Sequence, residues 1–216
     1  AHVAAQLPNA TMIYVESAQG DSLLYRYKYN DRGELQRDEG GVLPELLTLD
    51  LFFRVYLGPF DSSPQPNLQQ DIKSRQFEED VASGFTDIAN LEMRRSVKPQ
   101  ASEEIDIVLR CRNQVALVEC KIGGAAKGIQ GVLQLSNLAS DRYLGTYTRK
   151  ILAVQSRYGK DSSNNAEAAR RHDVFVLELP NWELTRERHP NGKIIWTKPE
   201  IEEFKRALTF AFGSGF

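Results

Sequence analysis

The sequence predicts an α/β protein in which a central sheet is flanked by helices and a small β-hairpin lies at the N-terminus. From about residue 71 onward, short runs rich in Ile and Val alternate with segments of helical periodicity. Two of these runs, 105–109 and 115–118, are too short for helices and are separated by a polar tight turn, which predicts a central hairpin. Two further β-rich runs within 11–29 surround Gln19-Gly20-Asp21 and predict the N-terminal hairpin.

The segment 61–67 is polar, contains the two prolines Pro64 and Pro66, and is the best candidate for a linker. We therefore predict two parts: residues 1–67, with the hairpin, a short helix over 46–57 and the linker, and a main domain over 68–216. The polar, glycine-bearing stretch 31–41 is expected to form a loop.

The main domain is predicted to contain a strand and helix alternation. In chain order we expect a helix over 71–90, a strand over 91–97, the central hairpin, a helix over 125–143, a strand over 150–155, a helix over 166–171, a strand over 174–179 and a closing helix over 200–212.

The composition is that of an ordinary globular protein, with 41% hydrophobic and 26% charged residues. No apolar run is long enough to span a bilayer and no signal-peptide pattern is present, so no membrane partner is expected. The two cysteines, Cys111 and Cys120, lack zinc-binding spacing, and a reducing, cytoplasmic setting fits best. Because the chain starts at Ala1 instead of Met, we expect a processed chain or a fragment.

The charge is unevenly distributed along the chain. Residues 94–171 hold fourteen Lys or Arg against seven Asp or Glu, a net charge of +7, so the remainder carries −9. A basic region around a few acidic residues suits a polyanion held at a metal site, although scattered solvated surface is the alternative. The three histidines fall in separate regions and Gly123-Gly124 lacks a phosphate-binding fingerprint, so triad and nucleotide-loop chemistry have no support.

Three ionisable residues interrupt the apolar pattern of the central hairpin: Asp106, Glu119 and Lys121. If the turn has two residues, Cys111 pairs with Gln114, and the same register places Asp106 opposite Glu119, about 5 Å apart at Cβ. Two carboxylates that close repel unless a cation lies between them, and with a neighbouring ammonium they suit Mg²⁺ and an attacking water. A strand-end salt bridge of Lys121 with Glu119 or Asp106 is the alternative.

Polar side chains on the two helices that flank the hairpin are further candidates. In the helix over 125–143, Lys127, Gln130 and Gln134 begin a polar stripe that could line the same cleft, or could form a solvated helix face. With Arg142 of the basic region they are the candidate nucleic-acid contacts. In the helix over 71–90, either Glu78 or its neighbour Glu79 could reach the sheet, or both could be solvated.

Asp106, twelve residues and then Glu119-Cys120-Lys121 resembles the D…ExK core of the PD-(D/E)xK nuclease superfamily. The order of acidic helix, strand, Asp strand, ExK strand and helix resembles it too. The resemblance implies a restriction-endonuclease-like central mixed sheet flanked by helices. It also implies Asp106, Glu119 and Glu78 as ligands of Mg²⁺ or Mn²⁺ and Lys121 as the catalytic lysine.

A narrower resemblance covers roughly residues 40–180, where LTLDLFFRVYLG, QFEEDV, EEIDIVLRCRNQVALVECKIG, VLQLSNLASDRYLGTYTRKILAV and RRHDVFVLE occur in order. This succession is similar to the nuclease half of CRISPR-associated nucleases that sense cyclic oligoadenylates through an N-terminal CARF domain. The resemblance implies a homodimer that cuts DNA or RNA in antiviral defence. Only about forty residues precede this portion, too few for a sensor, so residues 1–67 would hold its last hairpin and the ring nucleotide would act through a sensor not evident here. An inert nuclease-fold binding module and a restriction or repair nuclease are the alternatives.

Overall fold

The computed structural model describes residues 12–18, 21–30, 32–42, 48–56, 60–61, 72–99, 104–112, 114–140, 148–158, 163–190 and 192–214. The strands are β1 (Met12–Ala18), β2 (Asp21–Tyr29), β3 (Leu35–Val42), β4 (Phe60–Asp61), β5 (Leu91–Pro99), β6 (Ile105–Cys111), β7 (Gln114–Lys121), β8 (Arg149–Val154) and β9 (Val174–Glu178). The helices are α1 (Leu49–Tyr56), α2 (Ile72–Gly84), α3 (Gln130–Leu138), α4 (Ser163–Arg171), α5 (Trp182–Glu187) and α6 (Lys198–Phe212).

The first three strands form a small antiparallel sheet in the order β1-β2-β3. The predicted hairpin is confirmed, but the loop predicted over 31–41 is wrong, because β3 pairs with β2 there. The Asn30 side chain accepts hydrogen bonds from the backbone N–H groups of Arg32 and Glu34, and Gly33 has a φ of +75°, which makes a tight turn. Residues 32–37 are exposed, so the returning strand needs no apolar alternation and its polar composition concealed it.

The other strands form a mixed sheet in the order β4-β5-β6-β7-β8-β9. Pairing is antiparallel from β4 to β7 and parallel from β7 to β9. This arrangement confirms the predicted α/β class with a central mixed sheet between helices. Parallel pairing requires crossover connections, which α3 and α4 supply.

Each face of the mixed sheet carries its own apolar core. Helices α2 and α6 cover one face with Phe77 and Phe204, and Phe85, directly after α2, packs in the same core. On the other face, α3 and α1 contribute to a second core, α1 with Leu49, Phe52 and Phe53. The domain boundary near residue 67 stays a prediction, but a helix on its N-terminal side packs in the core of the mixed sheet.

One helix prediction needs correction, and one helix was not predicted. The helix predicted over 125–143 is a 3₁₀ turn, Ala125–Lys127, followed after Gly128 by the separate helix α3. Helix α5 was not predicted, because six residues show little periodicity. Residues 141–147, which include Arg142, and the linker at 62–67 lie outside the described residues. Within the described ranges, no helix combines the length and apolarity needed to cross a bilayer.

Candidate active site

The candidate site lies where β6 and β7 part from one another. Cys111 pairs with Gln114, as the sequence predicted, and the ladder runs as far as Ile107 opposite Val118. One further step in this register brings Asp106 opposite Glu119. At this level the backbone N–H of Cys120 donates to Oδ2 of Asp106 at 2.7 Å. A carboxylate side chain thus joins the two strands where their paired residues end.

The other neighbour of Asp106 is also irregular. On β5, Arg95 pairs with Ile107 and Val97 pairs with Ile105, so Ser96 is the residue between these two pairs, level with Asp106. Ser96 has a φ of +52°, an uncommon conformation for a residue other than glycine. Backbone irregularities of this kind bend a strand and redirect its side chains, and they are frequent beside active sites.

Glu119 and Lys121 share one face of β7, as strand alternation requires. Glu119 is buried, with 2% of its surface exposed. Nζ of Lys121 donates a hydrogen bond to Oε1 of Glu119, and the two side chains form an ion pair. The salt bridge that the sequence left open as an alternative is therefore present. Burial lowers the pKa of Lys121, but the carboxylates of Glu119 and Asp106 outweigh burial and raise it, so the ammonium stays charged.

Several carboxyl groups, some buried and some partly buried, lie close together at this point. Burial, followed by repulsion from Asp106 and Glu104, raises the pKa of Glu78 to about 8, while Arg95 and Lys121 oppose the rise. Burial and then repulsion from Glu119 raise the pKa of Asp106 to about 8 as well. Helix α2 therefore brings Glu78 within electrostatic range of the strand carboxylates.

The two adjacent glutamates of α2 have different environments. Glu78 is 8% exposed and interacts with the carboxylate cluster. Glu79 is exposed, and its Oε1 atom lies 3.6 Å from Nη2 of Arg95. Of the two helix carboxylates that the sequence offered, Glu78 is the one directed toward Asp106.

The chemistry of these donors fits a hard divalent cation. Asp106, Glu119 and Glu78 offer carboxylate oxygens, which Mg²⁺ and Mn²⁺ prefer, and their mutual repulsion falls when positive charge enters. Within the described ranges, no group of three or more His, Cys, Asp or Glu side chains has an arrangement that could hold a metal ion. Asp106 and Glu119 are the pair that the register brings together, and Glu78 is the nearby third carboxylate.

The candidate nucleic-acid contacts do not form one helical stripe. Lys127 is exposed in the 3₁₀ turn, whereas Gln130 and Gln134 belong to α3, of which Gln130 is exposed and Gln134 partly buried. Helix α3 does lie beside the site, because a Cβ atom at Gly131 would be 3.5 Å from Cγ of Lys121. Arg142 lies outside the described residues.

Two residues near the cluster were not predicted as site residues. Arg95 lies close enough to lower the pKa of Glu78. Gln155 follows β8, and its backbone N–H donates to the carbonyl of Lys121 at 3.3 Å while its side chain accepts from the N–H of Gly123 at 3.3 Å. Their roles depend on contacts between elements that are distant in sequence, so no local motif marks them.

No protein-family model matches the chain, and no curated protein matches it significantly. Among solved structures, the protein VC1899 from Vibrio cholerae has a TM-score of 0.44 and 15% identity, over 64% of this chain and 33% of that one. Can2 from Sulfobacillus thermosulfidooxidans, solved with cyclic tetra-adenylate, has a TM-score of 0.47 and 15% identity, over 77% of this chain and 64% of that one.

SfsA from Pyrococcus furiosus, solved with Ca²⁺, has a TM-score of 0.29 and 11% identity, over 72% of this chain and 69% of that one. The chain thus spans about a third of the Vibrio protein and slightly less than two thirds of Can2. Because each TM-score is below 0.5, function is inferred below from the residues of the chain itself.

Proposed function

We propose that this protein is a metal-dependent nuclease that hydrolyses phosphodiester bonds of DNA or RNA. The observation that carries the proposal is the carboxylate of Asp106 at the end of the β6–β7 ladder, bonded to the N–H of Cys120 and level with the Glu119–Lys121 pair. A structural salt bridge would need one acid and one base. Here further carboxyls lie at the same point, and burial together with neighbouring negative charge raises the pKa values of Glu78 and Asp106, an arrangement typical of a functional site.

Asp106 and Glu119 would hold Mg²⁺ or Mn²⁺, with Glu78 as a third carboxylate. When bound, the ion supplies positive charge that orients water and stabilises the phosphate oxygens. The hydrogen bond from Cys120 keeps one oxygen of Asp106 fixed, so this carboxylate does not have to reorganise on binding.

Lys121 is the residue proposed to act on the reacting groups. Its ammonium is partly buried and held by Glu119, which leaves it charged beside the carboxylates. In this position it can orient the attacking water and neutralise charge that develops on the phosphate. Lys127 and Gln130, both exposed on the segment after Lys121, would contact the phosphate backbone of the nucleic acid without recognising its bases.

Incubation of the full chain with labelled single- and double-stranded DNA and RNA, in Mn²⁺ and in EDTA, tests the proposal. We expect cleavage of at least one substrate in Mn²⁺ and of none in EDTA. Absence of cleavage in every Mn²⁺ reaction, with the chain folded, would contradict it.

A binding module of nuclease-like fold without turnover is the second candidate. The Lys121–Glu119 ion pair favours it, because a structural salt bridge would hold these two side chains in the same way. Calorimetry distinguishes the two, because only a nuclease requires Mn²⁺ binding that disappears in Asp106→Asn and Glu119→Gln variants.

The finer proposal is that the chain is the effector part of a homodimeric CRISPR defence protein controlled by cyclic oligoadenylate. It rests on the ordered sequence blocks of residues 40–180. The coding sequence upstream of Ala1 tests it, since a sensor domain must be encoded there or in an associated chain. Cleavage that cyclic tetra-adenylate leaves unchanged in the sensor-containing protein would contradict control by that ring nucleotide.

A further inference from the structure

Arg95 is a cation of the site that the hydrolytic roles above leave unused. It lies on β5 opposite Ile107, the neighbour of Asp106 along β6. Its positive charge lowers the pKa of Glu78, which places it within range of the buried carboxylates. Arg95 and Lys121 are both cations that act on Glu78, and Lys121 is ion-paired with Glu119.

The ion pair of Arg95 is weak enough to exchange. Nη2 of Arg95 is 3.6 Å from Oε1 of Glu79, and the two side chains are 40% and 46% exposed. Exposed pairs at such a distance contribute little to stability, because water screens them. A guanidinium has two parallel donors that match the oxygens of a phosphate, so a phosphate can replace Glu79 as its partner.

The backbone next to Arg95 supports a functional placement. Ser96 has a φ of +52° within the strand, and strain of this type persists where it redirects a neighbouring side chain. In a regular strand Ser96 would pair with Asp106. The irregularity instead separates Asp106 from the β5 ladder and leaves Arg95 beside α2, at the rim of the carboxylate cluster.

We propose that Arg95 is a phosphate-binding residue of this site, and that Glu79 holds its guanidinium at the rim until a nucleic-acid strand replaces the carboxylate. The inference rests on the proposed nuclease function and adds a substrate contact to it. Because the contact is to phosphate, it is independent of base sequence.

Salt-dependent binding tests the contact without cleavage. A labelled strand of each nucleic acid is titrated in EDTA with wild type and Arg95→Ala over a range of salt concentrations. The plot of log K against log salt has a negative slope, and loss of one phosphate contact should make that slope less steep by about 0.7 for a single strand or 0.9 for a duplex. We expect affinity at low salt to fall about tenfold, as for a lost charge-assisted contact.

Arg94→Ala is the matched control. Arg94 is 42% exposed and pairs with Asp50 at 3.4 Å, so it differs from Arg95 in position and not in exposure or pairing. We expect Arg94→Ala to keep the wild-type slope. Arg95→Lys should also keep the slope, which separates loss of charge from misfolding, and Glu79→Gln should bind at least as tightly as wild type.

An equal salt slope and affinity for Arg95→Ala, Arg94→Ala and wild type would overturn the proposal. A wild-type chain that binds but does not cleave in Mn²⁺ would refute the nuclease function alone, and the Arg95 slope would still decide the phosphate contact. Absence of binding by wild type to all probes would overturn the phosphate contact, and cleavage in Mn²⁺ would still decide the nuclease function.

Discussion

Replacement of Asp106 by Asn should stabilise the metal-free protein at alkaline pH. Asn retains an oxygen that can accept the hydrogen bond from Cys120 but carries no charge. The folded state raises the pKa of Asp106 from 3.8 to about 8, first by burial and then by the Glu119 charge. The protonated form is therefore favoured in the folded state. Its contribution to stability is complete below pH 4, is lost as the pH rises, and is gone above about pH 8.

The magnitude follows from the pKa change. One pKa unit corresponds to about 1.4 kcal/mol, so a rise from 3.8 to about 8 corresponds to roughly 6 kcal/mol for a group that titrates alone. Asp106 is only partly buried and titrates together with its carboxylate neighbours, so we take about half of this value. Between pH 5 and pH 8.5, we expect wild type to lose about 2 kcal/mol more than Asp106→Asn.

Urea unfolding in EDTA at pH 5 and pH 8.5, followed by tryptophan fluorescence, measures this difference. Trp182 is buried in the core and provides a signal. Asp87→Asn is the control, because Asp87 is 85% exposed and its replacement should leave the wild-type pH dependence unchanged. If Asp106→Asn loses as much stability between these pH values as wild type, burial and the Glu119 charge do not raise the pKa of Asp106 and the reasoning is wrong.

Two further predictions concern the packing that holds α2 in place. Buried Asp80 accepts hydrogen bonds from Nε1 of Trp182 at 2.8 Å and from Arg186 at 3.2 Å. Asp80→Ala should therefore lower the free energy of unfolding by about 3 kcal/mol. A loss below about 1 kcal/mol in urea titration would contradict this prediction. A Cβ atom at Gly84 would lie 2.3 Å from the ring of Phe204, so Gly84→Ala should cost roughly 1 to 3 kcal/mol through overpacking. A melting temperature equal to that of wild type would show that the ring moves freely.

The central hairpin could be predicted because its signals are local. Two short apolar runs and the tight turn between them fix the register, and the register determines which side chains face each other. Arg112 has a φ of +53°, as the first residue of such a turn requires. The opposition of Asp106 and Glu119 follows from these features without any tertiary information.

The sequence was less informative about features that tertiary contacts determine. Burial separates Glu78 from Glu79, and burial is set by the packing of α2 on the sheet. The break at Gly128 is fixed in part by the Tyr158 hydroxyl, which donates to the carbonyl of Gly128 at 3.1 Å from 30 residues away. The place of Arg95 depends on its pair with α2 and on the conformation of Ser96. None of these leaves a periodic pattern in the chain.

Cleavage of a labelled strand by the Lys121→Ala variant is the most direct test of the proposed hydrolysis. Lys193→Ala is the control, because Lys193 is exposed and pairs with Asp87 outside the carboxylate cluster. In Mn²⁺ we expect wild type and Lys193→Ala to cleave at equal rates, and Lys121→Ala to be slower by at least about a hundredfold. The Lys121→Ala variant should have a lower melting temperature, because it removes the ammonium bonded to buried Glu119, but it should remain folded at the assay temperature. Cleavage by Lys121→Ala at the wild-type rate would contradict the role of this lysine and, with it, the proposed mechanism.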